Sequence, residues 1–381
     1  MMPMTQYKIK LFEPVIEQED IEAVTEVLKS GWLAHGPVVE AFEQEFARYI
    51  GVEHAATVSN GTIALVLALK ALGVSPGDKV LVPDYTFIAS ATAAIMIGAT
   101  PVFVDVDSKT FNISVDDVLQ KVEEPGVKAI VAVHLFGHPA EIKALKEIAT
   151  DKRLLLVEDA AQAHGAEAWG KKVGGFGDAA IFSFYATKNM TMGEGGIVVS
   201  NEKSVIEKVK MLRNHGQAAR YLHVELGWNF RITSMQAALG RVQLRKLDRL
   251  NDLRRQNASY LSSLLSRLEG VEVPYEAPWA KHVYHVYAVK LGTRDIRDCV
   301  QKCMTSNGIE VAVHYPIPLH TQPVFRNMGY KECCPTSSAL AEKELSLPVH
   351  PKLSREELKL VAETFAKCLE KCREEVKQQT R

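Results

Sequence analysis

The sequence predicts an α/β fold: a mostly parallel, seven-stranded sheet in a large domain spanning residues 1–250, then a smaller α+β domain spanning 251–381. Three observations carry this. Seven short apolar runs recur between residues 55 and 200. Segments of helical length and pattern separate them, and strand–helix alternation of this kind builds parallel sheets covered on both faces. The length of 381 residues, at ~150 residues per domain, allows two to three domains.

The elements follow in order. Residues 18–50 read as two helices around the turn SGWLAHGP. The seven runs are AATV (55–58), KVLV (79–82), PVFV (101–104), AIVAV (129–133), LLLV (154–157), AIFSF (180–184) and GIVVS (196–200). Between them TIALVLALKAL, FIASATAAIMI, SVDDVLQKVEE and AEIKALKEIAT read as crossover helices, right-handed by rule. A helix over 234–268 leads into the second domain. There VYHVYAVKL (283–291) alternates like a strand, and DIRDCVQKCMTSNG is a helix stopped at Gly308. IEVAVHYPIPLHTQP reads as a strand and a proline-rich loop. Ser354 with Glu357 three residues on is a capping box, and the tail from Arg373 is expected to fray.

Composition narrows the function. The 45 Lys and Arg against 46 Asp and Glu give a net charge of −1, without the basic excess of a nucleic-acid binder. The uncharged run from Phe87 to Val104 is broken by Gly98 and Pro101, so no membrane span is expected. The amino-terminal stretch is polar and lacks the apolar core of a signal peptide. The six cysteines fall in the last quarter of the chain, two pairs at i,i+4 spacing. With no CxxC spacing among them they are expected to be buried free thiols rather than metal ligands, which places the protein in the cytoplasm.

In such sheets ligands bind beyond the carboxyl ends of the strands, and three groups stand there. SNGT (59–62) follows a strand and opens a helix. Its backbone N–H groups suit an anion, Gly61 permits close approach and Thr62 adds a hydroxyl, although a plain N-cap reads the same way. Asp159 follows LLLVE, where a carboxylate serves either a ligand or the next turn. Lys188 follows FSFYAT beside Gly193, Gly195 and Gly196, and a lysine held in a desolvated site can form a Schiff base. Together a lysine, a carboxylate for a ring nitrogen and an anion cradle are the requirements of pyridoxal phosphate. No GxGxxG is present, which disfavours a nicotinamide enzyme.

The ordered motifs SNGTIAL, PDYTF, EDAAQAHGA, FSFYATKNMTMGEGG, RNHG, GWNFRITSMQAALG and HYPIPLHTQP resemble the nucleotide-sugar aminotransferases of the DegT/StrS type, which are fold-type I pyridoxal-phosphate enzymes. The resemblance runs from about residue 9 to about residue 350. It implies that Lys188 carries the cofactor and moves the proton, and that Asp159 pairs with the ring nitrogen. Gln162 would meet the ring hydroxyl region and Phe87 would stack on the ring, although Phe87 also reads as a core aromatic. Gly61, Thr62 and Ser183 would hold the phosphate. Asn229 would reach the phosphate of a neighbouring subunit, so a homodimer with shared active sites is implied.

Arg213 and Arg231 are candidates for the amino donor's carboxylate or for interface ion pairs. His314, Tyr315 and His320 would line the sugar site, and Trp32 its entrance. His164 fits either a cofactor contact or a structural role. Thr321 departs from the apolar residue the family often has after LH. Relatives with histidine in place of the lysine are dehydratases, so Lys188 favours transamination. The expected reaction is transfer of an amino group from L-glutamate to a nucleotide-linked keto sugar, 3-keto slightly before 4-keto. The alternatives are another enzyme on this scaffold, a sugar dehydratase or an amino-acid-acting transferase, and a non-catalytic regulatory protein that binds the cofactor.

Overall fold

The structure is a computed structural model that describes residues 7–379. Each of the seven apolar runs becomes a strand of one sheet: β1 (His54–Val58), β2 (Lys79–Pro83), β3 (Thr100–Val104), β4 (Val127–Val133), β5 (Leu155–Asp159), β6 (Ala179–Ser183) and β7 (Gly196–Ser200). Their spatial order is β1-β7-β6-β5-β4-β2-β3. Alternate residues face opposite layers. Val80, Val82, Val131 and Val157 enter one core, while Leu81, Ile130, Ala132 and Leu156 enter another. Burial on both faces is why the runs are continuously apolar rather than alternating.

The crossover helices are α3 (Gly61–Ala71), α4 (Ala89–Met96), α5 (Val115–Lys121) and α6 (Ile142–Lys152), with α7 (Lys203–Leu212) after β7. The strands are parallel except β7, which runs antiparallel to both β6 and β1. The reason is local. Residues 184–195 are barely long enough for a crossover and hold no helix, so the chain turns back on itself. That returning segment carries Lys188.

Before the sheet, α1 (Gln18–Ser30) and α2 (Pro37–Ile50) flank the predicted turn. Helix α8 (Ser234–Leu265) packs its amino-terminal part against both. The expected division at residue 250 falls inside this single helix. Its last turns give Ala258, Leu261 and Leu265 to a second core, which Ile9 also enters. That core is built on β8 (Val271–Glu272), β9 (Tyr287–Leu291), β10 (Glu344–Leu347), α9 (Arg294–Ser306) and the later helix α12 (Arg355–Gln379). Two short helices, α10 (Pro323–Asn327) and α11 (Pro335–Lys343), lie between.

Four expectations for this half need correction. Residues 283–286 are not strand, because the N–H groups of Val283 and Val286 bond to the carbonyls of Gly137 and Phe136 in the large core. Residues 309–315 form only single bridges, Ile309 to Ile9 and Ala312 to Ser346. The tail from Arg373 is helical to Gln379, as part of α12, and residues 380–381 lie outside the described residues; the helix is capped by Ser354 and Glu357 as expected. The i,i+4 cysteines are not free thiols, since Cys299 pairs with Cys372 and Cys303 with Cys368 across α9 and α12. The inference from free thiols to a cytoplasmic location therefore loses its premise. No helix among the described residues is long and apolar enough to cross a membrane.

Candidate active site

The sheet register aligns the functional ends of five strands. Gly196 lies opposite both Val58 and Ser183, and Asp159 lies opposite both Val133 and Ile181. This edge opens into a cavity of ≈ 550 Å³ whose walls include Gly61, Thr62, Phe87, Asp159, Gln162, Ser183, Lys188, His314 and Tyr315.

The amino end of α3 forms one wall. Asn60 caps it, its side chain accepting from the Ile63 N–H at 2.9 Å. The N–H groups of Gly61 and Thr62 precede the first intrahelical bond, and the helix dipole makes this end attractive to an anion. Glycine is required at 61, because a Cβ there would lie 2.8 Å from Ser183 Cβ. A Cβ on Gly196 would lie 2.3 Å from the Asn60 carbonyl oxygen.

Asp159 forms the floor and is buried. Its Oδ2 accepts from the Ser90 hydroxyl at 2.9 Å and its Oδ1 from the Ala161 N–H at 3.2 Å. Burial pushes its carboxyl up, against the pull of those bonds and of Lys188. Lys188 is partly accessible through the cavity it lines. Desolvation there pulls its ammonium down to about 8, with Asp159 opposing. No arginine is among the described residues lining the cavity.

A chain of hydrogen bonds fixes the opposite wall. The Phe136 N–H donates to Gln162 Oε1 at 2.8 Å, and Gln162 Nε2 donates to the Tyr315 hydroxyl at 3.1 Å. The Tyr315 N–H donates to the Tyr85 hydroxyl at 2.8 Å, which donates to the His314 carbonyl at 2.9 Å. His314 Nδ1 is 2.8 Å from Ser346 Oγ, and burial followed by the charge of Lys188 lowers its imidazole to about 4, so it is neutral. Phe87 is 54% exposed beside the Tyr315 ring, which makes it a wall residue rather than a core aromatic.

Other expected site residues lie elsewhere. Arg213 is buried and donates to Glu43 Oε1 and to the Thr57 carbonyl, both at 2.5 Å, so its guanidinium is not free for a substrate. His320 is enclosed between Asp84 and Glu332, each 2.7 Å from a ring nitrogen, and does not line the cavity. Although burial lowers it, those carboxylates raise its imidazole to about 9. Trp32 folds over Gly36, donating to the His35 carbonyl at 3.3 Å. Asn229 is exposed and bridges to Asn214, whose side chain accepts from Arg231. His164 sits between Phe182 and Phe184, and burial lowers it to about 3.

Three residues of this site escaped the sequence reading: Ser90 and His285 line the cavity, and Tyr85 is buried behind it against Tyr315. Ser90 and Tyr85 were visible only as part of FIASATAA and PDYTF, and their hydroxyls orient Asp159 and the 314–315 peptide. His285, stacked on Phe12, gave no signal.

The residues present fit pyridoxal phosphate: a helix amino end with a glycine cradle for its phosphate, a buried carboxylate lacking a guanidinium partner for its ring nitrogen, and a desolvated amine for its carbonyl. A lysine, a carboxylate and an anion cradle at the carboxyl edge of this sheet define a fold-type I pyridoxal-phosphate enzyme. The family model of the DegT/DnrJ/EryC1/StrS aminotransferase family matches residues 14–366, and the chain belongs to that family.

The erythromycin biosynthesis sensory transduction protein EryC1 of Saccharopolyspora erythraea is 41% identical over 337 residues, covering 88% of this chain and 91% of that protein. A dTDP-3-amino-3,4,6-trideoxy-alpha-D-glucose transaminase of Streptomyces venezuelae is 40% identical over 343 residues, 89% of each chain. The PMP form of Spr1654, a putative sugar aminotransferase from Streptococcus pneumoniae, superposes with a TM-score of 0.93 at 28% identity, covering 97% of this chain and all of that one. The chain is an aminotransferase, and its relatives include aminotransferases of sugars.

Proposed function

We propose that this aminotransferase moves an amino group from L-glutamate to a nucleotide-linked keto sugar, with a 3-keto sugar preferred to a 4-keto one, and that it works as a homodimer with shared active sites. The observation that carries the reading is the convergence of Lys188, Asp159 and the α3 amino end on one cavity. The preference for C3 is supported by the transaminase relative that is 40% identical and named for a 3-amino sugar.

Bound in this cavity, pyridoxal phosphate supplies a carbonyl that takes the donor's amine and a ring that accepts the electrons of the broken Cα–H bond. Gly61 and Thr62 N–H groups, with the Ser183 hydroxyl, bind the phosphate. Asp159, pinned by Ser90, holds a proton on the ring nitrogen, because a buried carboxylate gains most from a cationic partner. Phe87 would stack on the ring, and Gln162, held by Phe136, would meet its hydroxyl region. Lys188 would take the proton from the donor's α carbon and deliver it to the cofactor's former carbonyl carbon, and would move a proton the opposite way in the second half. Its pKa of about 8 leaves a usable neutral fraction at working pH. His314 and Tyr315 form the sugar-facing wall. The exposed 214–231 loop, which carries Asn229 and Arg231, is the segment assigned to the shared sites.

The test is a visible spectrum of the purified protein before and after L-glutamate, followed by product analysis with 3-keto and 4-keto nucleotide sugars. A yellow band lost on adding glutamate, then amination chiefly of the 3-keto sugar, supports the proposal. A protein left colourless after added pyridoxal phosphate, or one that aminates neither sugar, refutes it. Sharing of sites is tested by mixing Lys188→Ala with Asn229→Ala under conditions of subunit exchange. Recovered activity supports it, and no recovery counts against it.

A further inference from the structure

Outside the catalytic cavity, Asp84, His320, Cys333 and Cys334 present an oxygen, a ring nitrogen and two sulfurs that all lie within 4.8 Å of one another. The donors come from three segments: the turn after β2, the loop that also carries His314 and Tyr315, and the stretch leading into α11. Asp84 and His320 are 236 residues apart, so no ligand spacing in the sequence could show the cluster. This is why the cysteines gave no metal signal there.

We propose that these four side chains form a zinc site, with Asp84 Oδ2, His320 Nδ1 and the two sulfurs as ligands. Zinc takes four ligands of these types, and a sulfur-rich set with an imidazole disfavours magnesium and calcium. The surroundings support the assignment independently. His320 Nε2, the far ring nitrogen, is 2.7 Å from Glu332 Oε1, and Glu332 Oε2 accepts from Arg326 Nη2 at 2.6 Å. A carboxylate on the distal nitrogen is the usual device that orients a metal-bound histidine. Asp84 Oδ1 is occupied by the His320 N–H at 2.7 Å, which leaves Oδ2 for the metal side.

The chemistry balances as an exchange of protons for the ion. Asp84 Oδ2 and His320 Nδ1 lie 2.7 Å apart across one proton. Zinc binding releases that proton and the two thiol protons to solvent, with no redox change. The Cys333 and Cys334 sulfurs lie side by side, 2.9 Å apart, with Cys334 buried and Cys333 exposed, which gives the ion a path from solvent. The other four cysteines are held in disulfides and do not compete. The ion would clamp the walls of the sugar side. Asp84 precedes Tyr85, whose hydroxyl bonds both flanks of the 314–315 peptide, and the Asp84 carbonyl accepts from the Leu319 N–H at 2.9 Å.

The experiment uses the full-length protein with its disulfides intact and Co²⁺ as the probe. The wild type is expected to bind one equivalent, with sulfur-to-cobalt charge-transfer bands and the strong visible bands of a tetrahedral site, both erased by added Zn²⁺. Cys333→Ser, an exposed position, should weaken those charge-transfer bands and bind cobalt more weakly. Glu332→Gln should keep the shape of the spectrum and lose about tenfold to a hundredfold in affinity. Circular dichroism checks that both variants fold. Absence of charge-transfer bands in the wild type overturns the proposal. So does equal binding by wild type and Cys333→Ser, which would leave His320 as an imidazolium between two carboxylates and nothing more. None of these readouts depends on transamination.

Discussion

Arg213→Gln separates a substrate-binding arginine from a structural one. The guanidinium is buried and contacts Glu43 Oε1, the Thr57 carbonyl and the Thr57 hydroxyl, the last at 3.1 Å. Removing one partner of a buried ion pair costs ~3–5 kcal/mol, because the other charge stays desolvated. Glu43 would keep the Thr57 N–H and hydroxyl, both at 2.8 Å, and Lys210 at 3.2 Å. The expected loss is therefore at the lower end, about 3 kcal/mol. Over 381 residues an unfolding entropy of ~2.1 cal/mol/K per residue makes this a fall in Tm of about 4 °C.

The acid limb should change as well. Burial raises the Glu43 carboxyl, but Arg213 and Lys210 outweigh it and hold it below the ordinary 4.5. A depressed carboxyl contributes stability above 4.5 that is lost as pH falls through its folded value. The variant should lose less in that window than the wild type. The assays are thermal melts at neutral pH and across the acid limb, and KM for L-glutamate. A KM raised tenfold with unchanged Tm would refute the structural role and restore Arg213 to the substrate.

Three further outcomes follow from the site and the second core. In protein stripped of cofactor, reaction of Lys188 with an amine reagent should rise with pH around a midpoint near 8. Asp159→Asn should move that midpoint down, because the carboxylate stabilises the ammonium. A midpoint near the ordinary 10.5 would contradict the desolvated site. Gly61→Ala places a Cβ 2.8 Å from Ser183 Cβ and should weaken cofactor binding by about tenfold, roughly one lost hydrogen bond. Fluorescence titration measures this, and unchanged affinity would remove Gly61 from the cradle. The disulfides close separations of 73 and 65 residues, and a loop of that size is worth about 4 kcal/mol. Because the two are nested, the second adds less. Melts with and without reductant should differ, and identical melts would argue against the pairing.

Much of the architecture was legible because its causes are local. A strand buried on both faces must be apolar along its length, and the seven runs announced themselves that way. Asn60–Gly61, Asp159 and Lys188 were legible because the carboxyl edge of such a sheet is where ligands bind, so position after a strand carried the meaning. The direction of β7 was less so, since it turns on the shortness of the 184–195 segment, not on the apolar pattern of GIVVS. Residues 283–286 alternate like a strand, yet their N–H groups are taken by residues about 150 positions earlier.

What the sequence alone determined is therefore the order of the elements, the two helix-paired cysteine couples and the lysine, carboxylate and anion-cradle set. Each follows from residues close in the chain. Only the tertiary structure decided which distant partner each polar group meets. In the sequence Arg213 is a candidate for a substrate carboxylate or an interface ion pair, but Glu43 of the same chain, 170 residues away, holds its charge. His320 belongs to Asp84, and Ser90 to Asp159. A charged or polar side chain acts over a few ångströms, and which groups come that close is set by folding, not by their spacing along the chain.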